Sequence, residues 1–303
     1  MKLAYVIPII FVMVLWAICF PFINIGLPYA SHLTFAALRA FIAGSVLLLV
    51  ALVLRAPQPE GLKMWLLIVA IGFFATGLGF YGMFHASEYI SPGIATVIAN
   101  TQPLLATMLA AMYLNEHVNG LGKLGVVIGF FGIVLIALPS ILNNNESGFG
   151  YGILFISIGV VGIAISNILI RYIAKKVDPL IAMGWQLVFG SFFLASLGLM
   201  VEDFGAVQWN VTFIMSLLIL ALPGTALVFW LWCRVLSSVE LNQANAFNFL
   251  VPIFGLLFGV IFFQEGFGVF AIVGVVLTIL GIILVNWPGN TSVSNLATEL
   301  VKE

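Results

Sequence analysis

Two asparagines three residues apart, Asn245 and Asn248, precede Pro252 inside an otherwise apolar stretch. Amides donate and accept hydrogen bonds without carrying charge, so such a pair suits a polar or zwitterionic solute. Thr96, Asn100 and Pro103 repeat the arrangement earlier in the chain, and Asn24 and Asn167 extend the polar inventory. Pro21, Pro103 and Pro252 are read as helix breaks. A mid-helix proline frees the carbonyl four residues before it, here Ala99 for Pro103 and Asn248 for Pro252. The small residues that run with them, such as Ala106, Ala110, Gly255 and Gly259, serve either to line a cavity or to let helices approach closely. The amides serve either a solute or bonds between helices.

A second group has the character of gates. Tyr81, His85 and Glu88 follow one another at i, i+4 and i+7, and a shift of 149 residues places Tyr81 on Trp230. Each ring lies one turn before a cation-capable residue, His85 or Arg234. Arg39 lies inside an apolar run, where it either snorkels outward along its stem or pairs with Glu88 to latch an outer gate. The rings serve as gates or as an interfacial belt.

Other chemistry is missing. Cys19 and Cys233 sit apart in apolar runs, and His32, His85 and His117 stand at segment ends. No H-E-x-x-H, G-x-S-x-G or Walker loop occurs. The sequence therefore predicts no metal, no cofactor and no enzyme activity.

The elements that must position these residues follow from composition. Of 303 residues, 63% are hydrophobic and 7% charged, with a mean hydropathy of +1.24. Soluble chains carry about a quarter charged residues, so this is an all-α integral membrane protein. A net charge of −1 offers no field for nucleic acid. Apolar runs of about 20 residues, the length a bilayer demands, predict ten helices at 4–26, 33–54, 65–85, 92–113, 121–138, 151–171, 180–200, 212–233, 242–263 and 268–286. The first is too long for a signal-peptide core and lacks a clear small-x-small cleavage site. Nine of the ten lysines and arginines then fall on one side, which places both termini in the cytoplasm. Arg39 is the tenth.

The shift of 149 also brings Ala95 onto Ala244, Pro103 onto Pro252, Glu116 onto Glu265, Gly125 onto Gly274 and Gly132 onto Gly281; a shift of 147 brings Arg39 onto Gln186. The expected organisation is a five-helix repeat over 1–138, an external linker at 139–150, a second, inverted five-helix repeat over 151–286 and a cytoplasmic tail at 287–303. An odd number of spans inverts the second copy, the architecture of many secondary transporters. Gly122, Gly125, Gly129 and Gly132 with Gly274, Thr278 and Gly281 are read as a packing face, with dimerisation as the alternative.

Trp16-Ala17 with Phe20, Arg39, and the paired Pro103…Glu116 and Pro252…Glu265 segments resemble the drug/metabolite transporter superfamily, in its EamA-like branch. The resemblance implies a cavity lined by helices 1, 3, 4, 6, 8 and 9. Helices 5 and 10 would lie at the periphery, where Thr278 should tolerate leucine. It also implies a small metabolite as substrate, often an amino acid and usually exported. The expected function is a secondary transporter of small polar metabolites, working by alternating access as a monomer or weak homodimer in a bacterial or archaeal cytoplasmic membrane. An uptake permease, a drug exporter and a lipid-modifying membrane enzyme are the alternatives. No carboxylate lies in the middle third of any run, which favours exchange or facilitated efflux over proton antiport.

Overall fold

The computed structural model describes residues 3–86, 89, 98–114, 119–142, 149–202, 206–263 and 268–287. Glu88, Thr96, Glu116, Glu265, the 143–148 stretch and the tail from 288 lie outside the described residues, as does the side chain of Asn24. The described chain is helical: α1 (Leu3–Gly26), α2 (His32–Val53), α3 (Gly61–Ala86), α4 (Gln102–Tyr113), α5 (Gly120–Leu142), α6 (Phe149–Ile173), α7 (Pro179–Val201), α8 (Val211–Ser238), α9 (Leu241–Ala246 continuing as Leu250–Phe263) and α10 (Val269–Val285).

Six of these, α1, α2, α3, α6, α7 and α8, are long and apolar enough to cross a bilayer. Shorter apolar helices, Gly120–Ile136 and Ile272–Val285, lie within α5 and α10. Their outward faces are as apolar as their cores: Leu52 is 75% exposed and Met200 80% exposed. Apolar exposure on this scale suits lipid rather than water, and the protein is a multi-pass membrane protein. Glu202 at the end of α7 accepts bonds from the Leu33 and Thr34 amides at 2.9 Å each and from the Thr34 hydroxyl at 3.0 Å. A carboxylate there answers the unpaired amides and positive dipole end of α2. At the other end of the bundle, Asp178 caps α7 through the Leu180 amide at 2.8 Å.

Packing joins early helices to late ones. α2 lies on α7, α5 on α10, α3 on both α6 and α7, α1 on α8 and α9, and α4 on α6 and α9. Small residues allow these approaches. A Cβ at Gly44 would stand 2.8 Å from the Gly184 carbonyl oxygen, and one at Gly125 2.7 Å from that of Gly281. The glycine face of α5 is thus taken up by α10 of the same chain. Thr278 is fully buried there, bonding the Gly274 carbonyl at 2.8 Å, so the expectation that it tolerates leucine is wrong. Helix α10 is peripheral to the bundle, but Thr278 is on its inner face.

Four helices are interrupted. Helices α3 and α8 each pass through a π-helical segment, Gly72–Leu78 and Leu222–Leu227. Helix α4 starts at Gln102 after a turn at 100–101, and α9 changes to a 3-10 turn at Phe247–Phe249. Pro103 and Pro252 therefore stand in the first turn of a helix rather than its middle, a place where the missing N–H is not needed. The breaks fall just upstream, beside the Ala99 and Asn248 carbonyls that each proline ring would crowd and leave without an amide partner. Pro21 breaks nothing: α1 continues through it to Gly26.

Candidate functional site

The two interrupted helices α4 and α9 meet through their amides. Asn248 Nδ2 donates to Gln102 Oε1 at 3.0 Å and to Asn245 Oδ1 at 3.3 Å. Asn245 is fully buried and Gln102 4% exposed. Two donors, Gln102 Nε2 and Asn245 Nδ2, and one acceptor, Asn248 Oδ1, remain without a protein partner. Each such group costs about 1–3 kcal/mol when buried. The cluster therefore holds hydrogen-bonding capacity that the protein alone does not use. Of its three members, sequence reasoning found the asparagines and missed Gln102. A glutamine in the centre of an apolar run was the available signal, obscured by treating Pro103 as the middle of one continuous helix. Asn100 is buried at the break just before it.

Asn167 of α6 accepts a bond from Trp232 Nε1 at 2.9 Å, and the Trp232 ring lies 5.5 Å from that of Trp16 on α1. The inward indole of α8 is thus Trp232, 1% exposed. Trp230 faces a groove on the side of the bundle, with Arg234 over its ring at 5.0 Å. Tyr81, its counterpart under the shift of 149, lies in a separate aromatic cluster. Beyond the two π segments the helices resume at Gly79 and Val228, 149 residues apart, so Tyr81 and Trp230 hold equivalent places in register although their surroundings differ.

Tyr81 and His85 do come together, with ring centroids 4.5 Å apart, and both pack on Phe155 of α6 at 5.8 and 5.3 Å. Tyr89 stacks on the same phenylalanine at 5.9 Å. This aromatic cluster closes α3 against α6 at the end of α3. His85 Nδ1 is buried without a partner.

Arg39 neither snorkels nor reaches a carboxylate among the described residues. It is 5% exposed and binds the π segment of α8: Nε donates to Thr225 Oγ1 at 2.6 Å and Nη2 to the Gly224 carbonyl at 3.3 Å. Phe80 covers the guanidinium at 5.0 Å. The π segment of α3 has a counterpart, in which Thr76 Oγ1 donates to Gln186 Oε1 of α7 at 2.9 Å. Arg39 and Gln186 are the pair that the shift of 147 aligned, and each grips the threonine of the other half's π segment. One joint is charge-assisted and the other neutral. A bond to a charged group is worth about 1.5–3 kcal/mol, against about 0.5–1.5 for a neutral one. Thr225→Val should therefore lower stability more than Thr76→Val, although both threonines are fully buried. Thermal unfolding of the two purified variants measures this; equal losses would show that Arg39 contributes no more than an amide.

Comparison with known proteins agrees with this architecture. The family model described as the EamA-like transporter family matches residues 3–138 and again 150–287. An uncharacterized transporter of Bacillus subtilis, YvbV, is 27% identical, with 91% of this chain and 89% of that protein covered. A WAT1-related chloroplastic protein of Arabidopsis thaliana is 28% identical over 86% of this chain, which spans 64% of that longer protein. A crystal structure 15% identical in sequence has the same fold, with a TM-score of 0.79 and 100% of both chains covered. With one family model matched twice in succession over almost its whole length, the chain belongs to the EamA-like transporter family.

Proposed function

We propose that the chain is a secondary carrier of small polar solutes without net charge, amino acids being the leading class, and that its usual direction is export. The amide cluster of Gln102, Asn245 and Asn248 carries this reading. A concerted turn of the three amides keeps both internal bonds and exchanges the free groups from two donors and one acceptor to two acceptors and one donor. The same cluster can then meet a carboxylate in one setting and an ammonium in the other. Gln102 begins α4, and Asn245 and Asn248 stand at the break in α9; transporters of inverted-repeat design bind their substrates at such interrupted helices.

In this reading the chain crosses the membrane ten times as two inverted repeats, in the cytoplasmic membrane of a bacterium or archaeon. The reciprocal packing and the matched π joints support it. Gln102 and Asn245 are buried and Asn248 half-buried, and a solute that satisfies the free groups would lower the energy of this form. Alternating access would turn about the joints at Thr76 and Thr225. Vesicles containing purified protein and loaded with one unlabelled amino acid should accumulate the same labelled amino acid by counterflow. A panel of neutral amino acids, sugars and lipophilic cations tests the class. Counterflow with cations alone would refute the proposal.

A further inference from the structure

A groove of about 380 Å³ runs along the outside of the bundle between α2, α7 and α8. Val50 and Leu54 of α2, Leu180 of α7, and Leu222, Leu227 and Trp230 of α8 line it. Its volume falls within the range of about 300–1,000 Å³ that binds small molecules, and its wall is apolar. It is open on the lipid side, since Val50 is 41% and Leu54 66% exposed. From Leu222 to Trp230 it extends about 12 Å along α8 at the usual helical rise.

Two arginines stand at one end. Arg234 lies over the Trp230 ring at 5.0 Å, its side chain exposed. Arg55 follows Leu54 with φ of 54°, the one non-glycine residue with positive φ among the described residues. It occupies the left-handed position that ends α2: its amide bonds the Leu52 carbonyl at 3.1 Å, and the Ala56 amide bonds that of Ala51 at 2.9 Å. Glycine is the usual residue there, because the conformation is unfavourable for L-residues. The strain is accepted while a cation is kept beside the mouth of an apolar groove. Asp178, two residues before Leu180 of the groove wall, is engaged by the Leu180 and Ile181 amides at 2.8 and 3.4 Å.

We propose that this groove is a binding site for an anionic phospholipid of the adjoining leaflet. One acyl chain lies against Leu222, Leu227 and Trp230, and the phosphate meets Arg55 and Arg234. Leu222 and Leu227 bound the π segment that Arg39 grips, so the lipid touches a joint of the bundle from outside while Arg39 holds it from within.

The test uses purified full-length protein in phosphatidylcholine vesicles. A minor fraction of the lipid is replaced by phosphatidylglycerol with brominated acyl chains, or by equally brominated phosphatidylcholine. Bromine quenches an indole it touches, and the difference between the wild type and Trp230→Phe isolates the Trp230 signal. Each basic residue at a membrane surface favours an anionic lipid about fivefold. The anionic lipid should quench Trp230 at least about fivefold more effectively. Arg55→Gln with Arg234→Gln should remove that preference and leave quenching by phosphatidylcholine intact. Soluble glycerophosphate should change nothing. Equal quenching by the two lipids, a preference that survives the double substitution, or protection by glycerophosphate would each overturn the proposal. So would a Trp230 that neither lipid quenches, which would mean that protein covers the groove.

Discussion

Leucine at position 248 should lower transport at least about tenfold while leaving the protein inserted in the membrane. Asn248 joins α9 to α4 and supplies the free acceptor of the amide cluster. Its replacement removes two internal bonds and every bond it could make to a solute, each worth about 1 kcal/mol. Counterflow per folded molecule is the readout, with folded protein quantified by size-exclusion chromatography. Gln102→Met, which preserves the length of the side chain, should cause a similar loss. Ser237→Ala, whose exposed hydroxyl bonds only its own helix and Ser238, should transport normally. If both cluster variants are folded and fully active, the amides only hold α4 to α9 and the solute site lies elsewhere.

The largest effect on stability is expected at the contact of α5 with α10. A Cβ at Gly281 would stand 2.6 Å from the Gly129 nitrogen and 2.7 Å from its Cα, and one at Gly132 would stand 2.6 Å from the Gly274 carbonyl oxygen. These obstacles are backbone and have no rotamer to change. Gly281→Leu or Gly132→Leu must push the helices apart, at a cost of about 3 kcal/mol, the upper end for overpacking, out of a total stability of about 5–15. Neither variant should give a monodisperse peak in detergent. Gly120→Ala meets nothing within 4 Å and should be neutral or slightly stabilising. Normal folding of both leucine variants would mean that the glycine face is not a close contact.

Much of this was legible before any coordinates. The membrane class follows from composition, and the apolar runs locate the helices because lipid leaves the backbone few other options. The alignments of Arg39 with Gln186 and of Pro103 with Pro252 pointed to residues that occupy matching settings. The π segments were not legible, since one extra residue per turn leaves no period in an all-apolar sequence. Trp230 was singled out because the shift of 149 sets it on Tyr81, and such a shift does not say which of the two indoles in α8 faces inward. Gln102 was lost for a related reason: the helix boundary beside Pro103 lies at the start of α4, and a continuous span hides it. Thr278 was misjudged because a peripheral helix still has a buried face.

The bond between Arg39 and Thr225 spans 186 positions of the sequence, and this has a bearing on how the chain is made. At a synthesis rate of about 5–20 residues per second, Arg39 emerges roughly 10–40 s before the threonine it will hold. During that interval α2 contains an arginine without its final partner, a residue that costs about 2.5–3.5 kcal/mol at the centre of an inserting helix. Gly44, which packs against Gly184, waits as well. The packing of the first half is therefore completed only by helices of the second. Until α6, α7 and α8 arrive, α2 and α3 lack the second-half helices they pack against.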